Sequence, residues 1–186
     1  MYLEKISTSA QKLQTFIFEV LDYARNNRQE PQNEKIYLPD LFAEITQGLQ
    51  NPEGERSCQI HLNLALENIC GDRARLKIIL NNLISNAIRF QKLRPDHEPM
   101  IGISTSKHDQ YVFIEIEDNG EGIAPEVQPR VFEMFYRGNI RSQGSGLGLY
   151  IAKSVVSKIQ GDISFKSEYG KGSIFTVKIP VGQCDE

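Results

Sequence analysis

Two glycine clusters bracket the stretch that decides the fold: DNGEGI at residues 118–123 and GSGLGL at residues 144–149. Between them lies an aromatic block, VFEMFYR, at residues 131–137. Glycine loses more backbone freedom on folding than any other residue, so this pattern is expected where backbone turns sharply or approaches a ligand. The second cluster leads into an amphipathic segment, whose helix would present backbone N–H groups and a positive dipole end at the glycines. Together these features predict a phosphate-covering lid over a nucleotide pocket.

Each glycine cluster alone also has an ordinary explanation. Asp-Asn-Gly is a common turn sequence, and Gly-Ser-Gly-Leu-Gly fits a flexible loop before a helix. Neither cluster is a dinucleotide-binding fingerprint, because no predicted strand directly precedes Gly144. Nor does the chain contain a P-loop, since Lys171 is followed by Gly172 rather than Ser or Thr. The prediction therefore depends on the combination of motifs.

Size and composition describe a globular protein with a real core. The chain has 186 residues, 40% hydrophobic and 24% charged, which suits about one domain with an appendage. Its formal net charge is −3. There is thus no overall basic field to attract nucleic acid or an anionic membrane, and neither is expected as a partner of this fragment.

The cysteines and the hydropathy pattern bear on the compartment. Three cysteines, Cys58, Cys70 and Cys184, form an odd set without CxxC spacing. This argues against zinc or a disulfide framework and predicts free thiols in a reducing compartment. No apolar run approaches the roughly 20 residues that span a bilayer, so we expect a cytoplasmic piece, which leaves open whether a larger parent is anchored in the inner membrane.

The N-terminal segment predicts a long helix over residues 3–24. Its apolar side chains alternate three- and four-residue spacings, a heptad seam that needs another helix to bury it. Phe16, Phe18 and Leu21 widen this face and favour a bundle of more than two helices. The alternative is a helix that lies on the domain's own core. A polar breaker at residues 26–33 acts as the linker.

The remainder predicts a two-layer α/β (α+β) sandwich, with a mixed sheet covered by helices on one face. A short helix begins at Pro39, and a strand over residues 59–66 would bury Ile60, Leu62, Leu64 and Leu66 on one side. Asp72 caps a long helix that runs through Phe90. Alternation predicts two hairpins, formed by residues 100–106 with 111–117 and 162–167 with 173–181.

A polar ridge runs along the long helix. Asn82, Asn86 and Arg89 fall at i, i+4 and i+7, within about 60° of one another on the helix surface. A solvated face is the ordinary explanation for such a set. Asn is only a middling helix former, however, and two on one ridge suggest a use.

Five segments, in order, resemble the nucleotide-binding boxes of sensor histidine kinases, in the GHKL superfamily that also holds gyrase, heat-shock chaperone and mismatch-repair ATPases. They are an asparagine box, a first glycine box, a phenylalanine box, a second glycine box and a last glycine box, at residues 82–90, 118–123, 131–137, 144–149 and 170–175. The resemblance covers roughly residues 35–181. It implies that residues 1–30 are part of the second helix of a dimerisation and phosphotransfer hairpin, and that residues 31–186 are an ATP-binding catalytic domain.

The resemblance implies specific roles for several residues. Asp118 would accept a hydrogen bond from the adenine amino group, with Ser173 sharing an ordered water. Asn86 would offer its amide oxygen to Mg²⁺. Arg89 stands where the family usually carries Lys; it keeps the charge but presents a planar fork. The implied catalytic residues are Asn82, Arg89 and Arg137. The implied ATP-binding residues are Asn82, Asn86, Arg89, Phe90, Asp118, Gly120, Gly122, Ile123, Tyr136, Arg137, Gly144, Ser145, Gly146, Leu147, Gly148, Leu149 and Ser173.

Position 82 separates the branches of the superfamily. The hydrolytic members resemble one another in carrying Glu there as a base, and an amide cannot take a proton. Asn82 therefore favours transfer of the γ-phosphoryl group to a histidine on a helix outside this chain, and then to a response-regulator aspartate. The full-length protein would form a homodimer through its N-terminal helix. The alternatives are a gyrase-like ATP hydrolase and a non-catalytic, nucleotide-responsive or purely structural dimerisation module.

Overall fold

The computed structural model describes residues 30, 32–49, 58–92, 96–138 and 145–184. The predicted helix over residues 3–24 lies outside these ranges. The described elements are β1 (Glu34–Tyr37), α1 (Leu38–Leu49), β2 (Gln59–Leu64), β3 (Asn68–Gly71), α2 (Arg73–Arg89), β4 (Met100–His108), β5 (Tyr111–Asp118), a 3-10 turn (Gln128–Arg130), α3 (Gly148–Lys158), β6 (Asp162–Glu168) and β7 (Gly172–Pro180). In this part of the chain, no helix is both long and apolar enough to cross a bilayer.

The main sheet has five strands in the order β2-β4-β5-β7-β6. β2 runs parallel to β4, and every other neighbouring pair is antiparallel. Parallel neighbours need a crossover, and here it contains β3 and α2. Both predicted hairpins are present as β4–β5 and β6–β7, so the prediction of a mixed sheet is confirmed.

The core lies between one face of this sheet and the helices. Alternate residues of the central strands are buried, among them Ile103 on β4 and Ile114 on β5. They belong to the same buried cluster as Leu76 and Leu83 of α2 and Val155 of α3. The period-2 pattern of the strands meets the helical stripe, which gives the predicted two-layer arrangement.

The prediction that one face of β2 is buried is wrong for Leu62, whereas Ile60, Leu64 and Leu66 pack against the core. Leu62 is 46% exposed, while Ile60 and Leu64 are half-buried. Within the described residues, β2 lies at the edge of the sheet with β4 as its single neighbour. Leu66 lies beyond the strand, where its N–H donates to Thr105 Oγ1 at 3.0 Å.

A small second sheet was not foreseen from the sequence. β1 and β3 pair antiparallel, with Ile36 opposite Ile69, and both side chains are buried. Four-residue strands carry too little alternation to stand out from loop sequence.

The structure also corrects the prediction of free thiols. Cys70, at the end of β3, forms a disulfide with Cys184, and their Cα atoms are 5.6 Å apart. The C-terminal segment also makes a backbone hydrogen bond at this place, from the N–H of Gly182 to the carbonyl of Cys70 at 3.2 Å. Cys58 is free, as predicted. Cys70 and Cys184 are 114 residues apart in the sequence, and rules based on cysteine spacing do not predict so distant a pair.

Candidate functional site

A cavity of about 610 Å³ opens between α2, the start of α3 and the ends of β5 and β7. This volume is typical of sites that hold a small organic ligand. Most of the residues singled out in the sequence line it. These are Asn82, Asn86, Arg89, Phe90, Asp118, Gly122, Ile123, Tyr136, Arg137, Ser145, Gly146, Gly148, Leu149 and Ser173.

Asp118 is a buried polar residue in the wall of the cavity. Asp118 is the last residue of β5, is 9% exposed and lies opposite Ser173 of β7. The backbone N–H of Gly120 donates to its Oδ1 at 2.8 Å. Burial raises the pKa of Asp118, and the N–H groups of Gly120 and Ser173 partly oppose that shift. The carboxylate remains an acceptor that a ligand N–H can reach.

The first glycine cluster docks on the end of α2. The N–H of Glu121 donates to the carbonyl of Phe90 at 2.9 Å. A Cβ on Gly120 would stand 2.4 Å from that same carbonyl oxygen, so a larger residue would push the two segments apart. This contact brings Asp118 and the last turns of α2 to one cavity.

The start of α3 lies against the polar ridge of α2. A Cβ on Gly148 would be 2.8 Å from Asn82 Oδ1 and 3.8 Å from Asn86 Nδ2. Asn82 Nδ2 donates to the carbonyl of Ile78 at 2.8 Å, which orients its Oδ1 toward Gly148. Two side-chain amides therefore meet the N-terminus of a helix that has no side-chain cap. Uncapped N–H groups there suit an anionic ligand.

The aromatic block closes another side of the cavity. The N–H of Phe135 donates to the carbonyl of Gly146 at 3.1 Å, and Gly146 has a φ of 74°. The guanidinium of Arg130 lies 4.1 Å from the ring centroid of Tyr136 and holds that ring in place. Arg137, next along the chain, lines the cavity.

Three predicted site residues do not line the cavity in the described structure. Leu147 is 1% exposed and belongs to the core, because the turn into α3 directs it inward and leaves Leu149 at the cavity. Gly120 packs against Phe90 instead of reaching the cavity. Gly144 lies outside the described residues, so its place stays a prediction.

Several lining residues were missed by sequence reasoning. They are Ser85, Ala87, Glu121, Ala124, Pro125, Glu126, Val127, Val131, Gly138, Tyr169 and Phe175. Phe175 follows Ser173 by two positions in β7, so strand alternation could have found it. Residues 124–127 carry no periodicity, and no local signal points to them.

Comparison with known proteins identifies relatives of the chain. The family model of the histidine kinase-, DNA gyrase B- and HSP90-like ATPases matches residues 71–183. The sensor histidine kinase RppB of Synechocystis sp. is 32% identical over 154 residues, which cover 77% of this chain and 32% of RppB. The sensor protein SrrB of Staphylococcus aureus is 31% identical over 188 residues, covering 96% of this chain and 31% of SrrB. The chain thus spans about a third of these relatives' lengths.

Solved structures show the same fold. The Acinetobacter baumannii histidine kinase AdeS superposes with a TM-score of 0.76 at 22% identity, covering 97% of this chain and 84% of AdeS. Full-length ShkA, solved in complex with AMPPNP, superposes with a TM-score of 0.79 at 24% identity, covering 100% of this chain and 39% of ShkA.

Proposed function

Because the chain belongs to the family of histidine kinase-, DNA gyrase B- and HSP90-like ATPases, we propose that it is the catalytic part of a sensor histidine kinase. It transfers the γ-phosphoryl group of ATP to a histidine outside this chain, for onward transfer to a response-regulator aspartate. The observation that carries this proposal is that Asp118 and Asn86 line one cavity.

Asp118 selects the base. As a buried carboxylate it accepts a hydrogen bond from the adenine amino group, whereas the carbonyl of guanine offers no hydrogen at that position. Its N–H partners hold the carboxylate in one orientation, so it is prepared before the ligand arrives. Ser173, opposite Asp118 in the sheet, shares a water with it and with the base.

Asn86 is the residue that would hold Mg²⁺. An amide at the cavity wall, beside the backbone of Gly148, suits an ion that prefers few protein ligands and several phosphate and water oxygens. When bound, Mg²⁺ supplies charge neutralisation on the phosphate oxygens. The chain's own part is to offer one oxygen and leave room for the phosphates.

The phosphates lie between the ridge of α2 and the N-terminus of α3. Arg89 is exposed on the last turn of α2, and both Arg89 and Arg137 line the cavity. The uncapped N–H groups at Gly148 add positive partial charge. Phosphoryl transfer depends mainly on positioning and on charge stabilisation, and these groups supply both.

Asn82 favours transfer over hydrolysis. Asn82 Nδ2 donates a hydrogen bond to the carbonyl of Ile78. Its Oδ1 has negligible basicity, so Asn82 does not activate water. The three histidines, His61, His97 and His108, lie in β2, in a loop and at the end of β4, none of them on a helix. The acceptor histidine is therefore assigned to another segment or chain.

The remaining proposals concern the longer protein. Residues 1–30 are assigned to a dimerisation hairpin and residues 31–186 to the catalytic domain. A homodimer forms through the N-terminal helix, and a response regulator is the next phosphate acceptor. The family resemblance and the heptad seam support these assignments.

Labelled ATP tests the proposal. The chain is mixed with Mg²⁺, γ-labelled ATP and a helical hairpin that carries an acceptor histidine. Acid-labile label is expected on the hairpin and not on the chain, and Asn86→Ala abolishes it. Steady phosphate release without labelling, also abolished by Asn86→Ala, would instead identify a hydrolase. Absence of both reactions, with no ATP binding, would support a structural module.

A further inference from the structure

The hydroxyl of Ser167 does not line the cavity, but it forms hydrogen bonds with two residues that do, Ser173 and Ile123. Ser167, in β6, lies opposite Ser173 of β7, and their Oγ atoms are 2.9 Å apart. Ser167 Oγ also accepts a hydrogen bond from the N–H of Ile123 at 2.8 Å. One side chain thus joins the strand opposite Asp118 to the last residue of the first glycine cluster.

Ile123 is held at both its backbone polar atoms. While Ser167 holds its N–H, Gln128 Nε2 donates to its carbonyl at 2.9 Å and to the carbonyl of Ser167 at 3.2 Å. Gly122, just before it, has a φ of 65° and fits against the carbonyl of Glu168, where a Cβ would stand 2.2 Å away. The wall containing Ile123 is therefore fixed to the end of β6.

The single hydrogen of Ser167 decides where the hydrogen of Ser173 points. Ser167 Oγ is 3.1 Å from the carbonyl of Gly172, to which it can donate. If it does so, Ser173 must donate to Ser167, because two hydroxyls 2.9 Å apart need one hydrogen between them. Ser173 then presents only lone pairs to the cavity, and the water that it shares with Asp118 donates to both residues and offers its own lone pairs to the base. Beside the Asp118 carboxylate, this makes a surface that accepts hydrogen bonds and does not donate them.

We propose that Ser167 is a positioning residue for base selection, which through Ser173 and Ile123 keeps the wall around Asp118 an acceptor-only surface. This inference rests on the proposed function, since it assumes that the cavity binds ATP. An exocyclic amino group donates to such a surface, whereas a carbonyl in the same place faces lone pairs alone. Without Ser167, the hydroxyl of Ser173 is free to turn and donate to the shared water, which can then donate to the carbonyl.

Comparing ATP with inosine triphosphate tests the inference, because inosine carries a carbonyl in place of the exocyclic amino group and a hydrogen on N1, while the phosphates are the same. Dissociation constants for both, with Mg²⁺, are measured by titration calorimetry on the chain. Ser167→Ala is expected to lower the preference for ATP over inosine triphosphate by about tenfold, the value of one or two neutral hydrogen bonds. Ser167→Cys, similar in size but a weak hydrogen-bonding group, should act in the same direction and guards against misfolding of the alanine variant.

Two control variants separate positioning from a merely structural role. Ser167→Thr keeps the hydroxyl and should retain the wild-type preference. Ser164→Ala removes an exposed hydroxyl from the other face of the same strand and should change nothing. Loosening of the fold alone would weaken the binding of both nucleotides equally. An unchanged preference in Ser167→Ala and Ser167→Cys overturns the inference while the proposed function stands; a wild-type chain that binds neither nucleotide overturns both.

Discussion

The two ends of α2 hold polar groups that are used in opposite ways. At the N-terminal end, Asp72 and Arg75 are 7% and 3% exposed and form a salt bridge with each other. Asp72 also accepts from the N–H of Arg75 at 2.8 Å and so caps the helix. At the C-terminal end, Asn86 and Arg89 line an open cavity.

This difference distinguishes polar groups that hold the fold from those available to a ligand. A buried charge is tolerated when its partner lies beside it, and loss of that partner is costly. The groups at the cavity have room for a ligand as partner, so they should matter for binding and little for folding. Variants at the two ends of one helix should therefore separate stability from affinity.

The largest effect is expected at the N-terminal end. Asp72→Ala removes the cap and the carboxylate that forms a salt bridge with the buried Arg75 guanidinium, so the free energy of unfolding should fall by about 3–5 kcal/mol. Urea denaturation measures it. The matched control is Glu133→Ala, which breaks an exposed i,i+3 pair with Arg130 and should cost at most about 1 kcal/mol. Similar losses in both variants would contradict the distinction.

The disulfide next to that end should have the second largest effect. Cys184→Ser opens a link between residues 114 positions apart, and we expect the free energy of unfolding to fall by about 2–4 kcal/mol. A dithiol reductant should lower the free energy of unfolding of the wild type by the same amount and leave that of Cys184→Ser unchanged. Cys58→Ser, which removes the free thiol, is the control. Insensitivity of the wild type to reductant would restore the free-thiol prediction.

The sequence was most informative where residues of suitable chemistry also followed the spacing of a helix or a strand. Asn82, Asn86 and Arg89 share a helical face and Asp118 ends a strand. The resemblance to the family's nucleotide-binding boxes implied that these residues meet, and all four line one cavity. Local patterns did not decide between Leu147 and Leu149, because the turn into α3 sets which leucine enters the core.

Long-range pairings were beyond the sequence for a different reason. The partner of Cys70 is fixed by the path of the C-terminal segment, which no spacing encodes. Leu62 is exposed although it alternates with Ile60 and Leu64, because alternation specifies which residues share a face and not what covers that face.

The account depends most directly on Asp118, and calorimetric titration with Mg-ATP is its sharpest test. Asp118→Asn should weaken binding by about 100-fold, as expected for loss of a hydrogen bond to a charged group. Glu115→Gln, an equal charge change at an exposed position of the same strand, should bind like the wild type. Burial raises the pKa of Asp118, so the folded state favours the protonated form and ionisation near neutral pH costs stability. Asp118→Asn should therefore leave the ligand-free protein at least as stable as the wild type. Equal ATP affinity in wild type and Asp118→Asn would contradict the central claim.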